Sequence, residues 1–160
     1  MLPTRKAIKD IFDGLLGREV SMTDGDRVVL DGERGLLPVV ASYVDDHNRL
    51  SSVATMDFKL AAYSGAALGL VPLGGAEASI EDKELFPNLF ENTCELLNVL
   101  ASPIGDASPV HQRLFETFEP GRGLPADVAQ WAATLGVRED VKIDIPGYGA
   151  GNLSIITTLA

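Results

Sequence analysis

Cysteine occurs once in this 160-residue chain, at Cys94, and histidine twice, at His47 and His111. One cysteine excludes an internal disulfide and points to a reducing, cytoplasmic setting. Neither histidine has a Cys, His or carboxylate partner at metal-ligand spacing, which argues against a zinc site. The same poverty argues against Ser-His-Asp and Cys-His arrangements, because Cys94 falls inside a helical pattern with no activating neighbour and reads as a small packing residue. Cations are scarce as well. Thirteen Lys and Arg face 23 Asp and Glu, a net charge of -10 that repels phosphate backbones and anionic lipid headgroups. The longest uncharged run, Leu60 to Ala76, is rich in Ala and Gly and is broken by Pro72, Gly74 and Gly75. It reads as a buried helix plus turn, with no membrane span. Met1 to Phe12 alternates charged and apolar residues and so lacks the apolar core of a signal peptide.

What is present suits one folded domain. With 46% apolar and 22% charged residues, a chain of this length buries roughly two thirds of its unfolded surface without staples. Ile8, Ile11, Phe12, Leu15 and Leu16 predict a helix over residues 5–16, capped by Thr4 and closed by Gly17. Asp24-Gly25 and Asp31-Gly32 bracket Val28, Val29 and Leu30, which suggests short strands with turns. Residues 36–44 and 49–57 flank Asp45-Asp46-His47-Asn48 and read as a hairpin. Asp57 then caps a helix to about Leu70, whose Ala61, Ala62, Gly65, Ala66 and Ala67 permit close packing.

After a turn at Gly74-Gly75, residues 84–101 form the longest periodic segment, with Pro87 in its first turn and Ser102-Pro103 as its stop. Val128, Trp131, Ala132 and Leu135 mark a short peripheral helix over 124–135. Val141, Ile143 and Ile145 alternate with charge, and Pro146 to Gly151 turns the chain into Leu153, Ile155, Thr157 and Leu159, a closing hairpin. Gly147-Tyr148-Gly149-Ala150-Gly151 therefore reads as a hairpin turn, because a phosphate loop must open a helix. The sum is an α+β fold, helices on a largely antiparallel sheet, in one domain spanning 1–160.

The chemically informative feature is the polar face of the long helix. Glu91, Glu95, Asn98 and Ser102 follow at steps of four, three and four residues, which places them on one stripe opposite the apolar one. Such a stripe is ordinarily a solvated face.

Three ordered blocks resemble the CheC/CheX/FliY-type phosphatase family of bacterial signalling, and most of all its CheX-type branch with a single E-x-x-N motif. They are the opening helix and first strand over Ala7 to Val20, the hairpin, small-residue helix and long helix through Cys94-Glu95-Leu96-Leu97-Asn98-Val99-Leu100-Ala101, and the final strand pair ending Gly151 to Ile156. The resemblance implies the CheC-like fold and a phosphatase acting on a phosphorylated CheY-like response-regulator receiver. It assigns the water-orienting amide to Asn98 and the contact with the partner's lysine to Glu95. Glu91 and Ser102, flanking them on the same stripe, are expected to be partner-binding. It also implies that no cofactor or metal belongs to this chain, because the aspartyl phosphate and Mg²⁺ belong to the receiver. Segment 105–139 has no counterpart in the family and reads as an insertion.

An amide offers a donor and an acceptor, and can hold a water in line with a phosphoryl group. Two alternatives stand beside this reading. One is a non-catalytic CheC-like interaction module in signalling or flagellar control, and the other is a small-molecule pocket between the Ala-rich helix and the sheet. The apolar strand Leu153 to Leu159 offers an edge on which a second copy could pair, and CheX-type relatives form dimers, so a homodimer is expected.

Overall fold

Thr4 and Gly17 set the limits of α1 (Arg5–Leu16) as their chemistry requires. The Thr4 hydroxyl accepts from the Ala7 amide at 3.1 Å, and Gly17 closes the helix at φ 66°, where a Cβ is strained. This computed structural model describes residues 1–157. Leu159, expected in the last strand, lies outside them.

Six strands form one sheet in the order β1 (Ser21–Asp24), β5 (Arg138–Ile145), β6 (Gly149–Thr157), β3 (Leu50–Met56), β2 (Val39–Val44) and β4 (Arg113–Phe118). Every pairing is antiparallel. Both expected hairpins are present, β2 against β3 and β5 against β6.

Alternation along the strands divides the core. Val39, Ala41, Tyr43, Ala54, Met56, Val141, Ile143 and Leu153 point toward α1, α2 (Phe58–Leu68) and α4 (Pro87–Val99). Val40, Val53 and Phe118 point the other way, beneath α6 (Ala126–Ala132), whose Val128 and Ala132 are buried on them. Both faces of β2 are therefore covered, which explains why all six of its residues are buried.

Four expectations change. Gly74-Gly75 is not a turn; both glycines lie in the first turn of a helix, α3 (Leu73–Asp82), started by Pro72 and buried at Ala76 and Ser79. Val28, Val29 and Leu30 form no strand: the Val28 amide donates to Ser154 Oγ, and Leu30 packs on the outer sheet face. Residues 105–139 do supply the expected short helix, but they also supply β4, which completes one edge of the sheet. Finally, Leu153 to Thr157 is no edge, since β6 runs between β5 and β3 and both its sides are paired. Strand pairing with a second copy through that segment is ruled out by this placement.

The helix that carries the polar stripe is held on both sides. Gly65 of α2 faces α4 so closely that a Cβ there would lie 2.4 Å from the Leu89 carbonyl oxygen. The small residue lets Thr93 Oγ1 donate to the Ala61 carbonyl at 2.9 Å and Asn92 Nδ2 to the Gly65 carbonyl at 2.9 Å. From below, the buried Tyr43 hydroxyl donates to the Leu97 carbonyl at 2.6 Å, in the last turn of α4. Burial pushes the Tyr43 phenol far above its ordinary range, so it is a permanent donor. Tyr43→Phe strands that carbonyl, and urea unfolding is expected to show a loss of about 1–3 kcal/mol.

Candidate functional site

Pro87 occupies the first turn of α4, where its missing N–H costs nothing, and Leu89, Thr93, Leu96 and Leu97 form the buried side. A helix buried at those positions must present the opposite ones, and Glu91, Glu95, Asn98 and Ser102 are all exposed. The stripe therefore exists as a surface.

Its end differs from expectation. Ser102-Pro103 does not stop the helical path: α4 ends at Val99, Leu100 keeps right-handed helical angles, and α5 (Ala101–Asp106) follows at once. Pro103 sits in the first turn of α5, where an N–H is dispensable, and it is buried together with Ile104. Ser102 thus continues the exposed series onto a second helix.

The structure separates the four stripe residues into two pairs. Asn98 and Ser102 line a groove of about 590 Å³, whose opposite wall is the stretch from Ser108 to Leu114 leading into β4. Glu95 and Glu91 lie outside that groove, one and two turns up the helix from Asn98. Asn98 is consequently an exposed amide at a polar groove, with an exposed carboxylate one turn away on the same face.

That opposite wall contains the residues that the sequence did not single out. Gln112 is 3% exposed, and neither polar atom of its side-chain amide has a partner among the described residues. The Arg113 guanidinium donates to Asn48 Oδ1, and His111 Nδ1 lies 3.1 Å from Asp46 Oδ1. Asn48 and Asp46 belong to the β2–β3 turn, which Asp45 organises by accepting from the His47 and Arg49 amides at 2.8 and 3.0 Å. Those backbone donors, that of Arg49 first, hold the Asp45 carboxyl below the ordinary carboxylate range. Only the strand pattern around Arg113 could have revealed this wall, and a bulge interrupts it: Ser42 pairs Glu116 but Tyr43 pairs Leu114, leaving Phe115 extra and 57% exposed.

Cys94 is half-buried against Thr117 of β4, and burial pushes its thiol up, away from reactivity. Gly147 to Gly151 joins β5 to β6 as expected, with Gly149 and Gly151 inside β6. A smaller cleft of about 240 Å³ lies at the start of α2, lined among others by Arg27, Asp57, Lys59, Lys142 and Asn152. Its Asp57 is committed to structure, capping α2 through the Leu60 amide at 2.8 Å and accepting from the Asn152 amide at 2.8 Å. Among the described residues no three of His, Cys, Asp and Glu gather as a metal-binding group, and no helix is long and apolar enough to cross a membrane.

No family model and no curated protein matches the chain. Solved structures do. FliM from H. pylori, in its complex with SpeE, has a TM-score of 0.64 at 8% identity, over 96% of this chain and 81% of that one. A CheC-like superfamily protein from Shewanella sp. PV-4 has a TM-score of 0.59 at 9% identity, over 96% and 93%. The chemotaxis protein CheX from Vibrio vulnificus has a TM-score of 0.56 at 10% identity, over 96% and 95%. The chain has the CheC-like fold, as the opening helix, the long helix and the closing strand pair implied.

Proposed function

We propose that this chain is a phosphatase of a phosphorylated CheY-like receiver, with Asn98 and Glu95 as its working residues. The observation that carries the proposal is the exposed Glu95–Asn98 pair on one face of α4, in a chain with the CheC-like fold. Docked on a receiver, the Asn98 amide accepts from a water and donates toward the phosphoryl group, which places the water in line with the scissile bond. The water oxygen attacks phosphorus, the bond from phosphorus to the aspartyl oxygen breaks, and the bond electrons stay on that carboxylate. The water protons leave with the inorganic phosphate and to solvent.

Electrophilic assistance comes from the receiver's own Mg²⁺, so this chain contributes position. Glu95 pairs with the receiver's lysine, and Glu91 and Ser102 flank the contact above and below. The cytoplasm, where such receivers operate, is the setting this reading requires. If two copies associate by strand pairing, the available edges are β1 and β4.

Glu95 acts through docking, and its removal is read as affinity. Glu95→Gln is expected to raise KM for the phosphorylated receiver about tenfold, with kcat changed far less. Steady-state hydrolysis at varied receiver concentration separates the two, and a selective fall in kcat contradicts a docking role.

The likeness to FliM from H. pylori, crystallised in a complex with SpeE, favours one second reading, a non-catalytic interaction module. On that reading the same face binds a receiver or a flagellar component without accelerating phosphate loss.

A further inference from the structure

The groove that Asn98 lines also holds a positive charge with no ion-pair partner among the described residues. Arg113 lines this groove and has no carboxylate within ion-pair distance among the described residues. His111, the other basic residue of the groove, is engaged by Asp46. The Arg113 side chain is nevertheless held in place, because its guanidinium donates to the neutral Asn48 amide. Asn48 is fixed in turn by a left-handed turn position at φ 59° and by its backbone N–H, which donates to the Asp45 carbonyl at 3.0 Å. An arginine oriented by a neutral acceptor keeps its full charge for a further partner.

Within the groove Ser102 adds a hydroxyl that can donate to an anion held by Arg113. Asp106 is the one carboxylate of the wall and works against an anion. The chain as a whole carries -10, Glu91 and Glu95 of the stripe included, so an acidic receiver approaches against repulsion. A cation across the groove from Asn98 offsets that repulsion only where the partner presents concentrated negative charge.

We infer that Arg113 contacts the phosphoryl group of the docked receiver, so that the groove distinguishes the phosphorylated from the unphosphorylated partner. For its partner this rests on the phosphatase reading, but it does not rest on hydrolysis. Asn98 orients water, and Arg113 makes docking conditional on the group that is to be removed.

The test measures binding of the full chain to a CheY-like receiver loaded with Mg²⁺ and beryllofluoride, a phosphoryl mimic, and to the same receiver unloaded. The parent is expected to prefer the loaded form. Arg113→Ala should weaken loaded binding about tenfold and leave unloaded binding unchanged, and Arg113→Lys should recover part of the loss. Equal weakening for both forms, or no weakening, overturns the inference. So does inorganic phosphate binding that depends on Arg113 while the loaded-to-unloaded ratio does not. Arg113 is exposed, and an unchanged circular dichroism spectrum confirms that Arg113→Ala folds. If Asn98→Ala hydrolyses the phosphorylated receiver as fast as the parent, the catalytic reading fails, while the Arg113 ratio still decides this one.

Discussion

Asn98→Ala should lower kcat for receiver dephosphorylation at least a hundredfold while leaving the melting temperature within about a degree of the parent. The expected size follows from what positioning is worth: aligning a nucleophile commonly contributes two or more orders of magnitude, and here no other group of the chain is assigned to the water. The expected stability follows from exposure. The Asn98 side chain is exposed on α4 and makes no hydrogen bond among the described residues, so truncation opens no cavity and strands no buried group. Asn98→Asp is the sharper companion, because it keeps the size and one acceptor but loses the donor and adds negative charge beside an anionic phosphoryl group. It is expected to be as inactive as Asn98→Ala. Thermal melts and single-turnover phosphate release give both quantities on the same samples.

Gly65→Ala should destabilise the protein by about 3 kcal/mol, the upper range for overpacking a close backbone contact. The added Cβ would meet the Leu89 carbonyl oxygen at 2.4 Å and its carbon at 3.0 Å, and backbone cannot step aside as a flexible side chain can. Relief requires α4 to move away from α2, which breaks the bonds from Thr93 and Asn92 to the α2 carbonyls. Receiver hydrolysis is expected to fall too, because α4 carries Glu95 and Asn98. Gly14→Ala is the matched control. Gly14 lies inside α1 with nothing within 4 Å of the position a Cβ would take, so alanine there should stabilise by about 0.5–1 kcal/mol. Urea midpoints that moved alike for the two variants would contradict the close α2–α4 approach.

Much of this architecture is legible where a local rule acts alone. Thr4, Gly17 and Asp57 name helix ends because capping needs only neighbouring residues, and the structure places those ends as expected. Val141, Ile143 and Ile145 reveal a strand because one face is buried and the other exposed.

Elements fixed by tertiary contact are harder to read. Helix α3 buries only Ala76 and Ser79 and has Gly74-Gly75 in its first turn, so composition favours a turn over the helix that packing on α2 selects. Pro103 suggests a stop, yet a new helical turn begins just before it. In β4 the extra residue Phe115 breaks the alternation that would have marked a strand.

The site divides the same way. The stripe of Glu91, Glu95, Asn98 and Ser102 follows from helical period alone, and each of its members is exposed. The groove does not, since it joins residues 98–106 to residues 108–114 through the placement of β4 beside β2. Arg113 and Gln112 acquire meaning only once that edge strand is in position.

The central claim is turnover, and it is tested by adding catalytic amounts of the chain to phosphorylated CheY-like receivers and following phosphoryl loss against each receiver's own decay. At least one receiver is expected to be dephosphorylated faster, over many turnovers per molecule of the chain. Binding of those receivers without any acceleration would contradict it and leave an interaction module on the same fold.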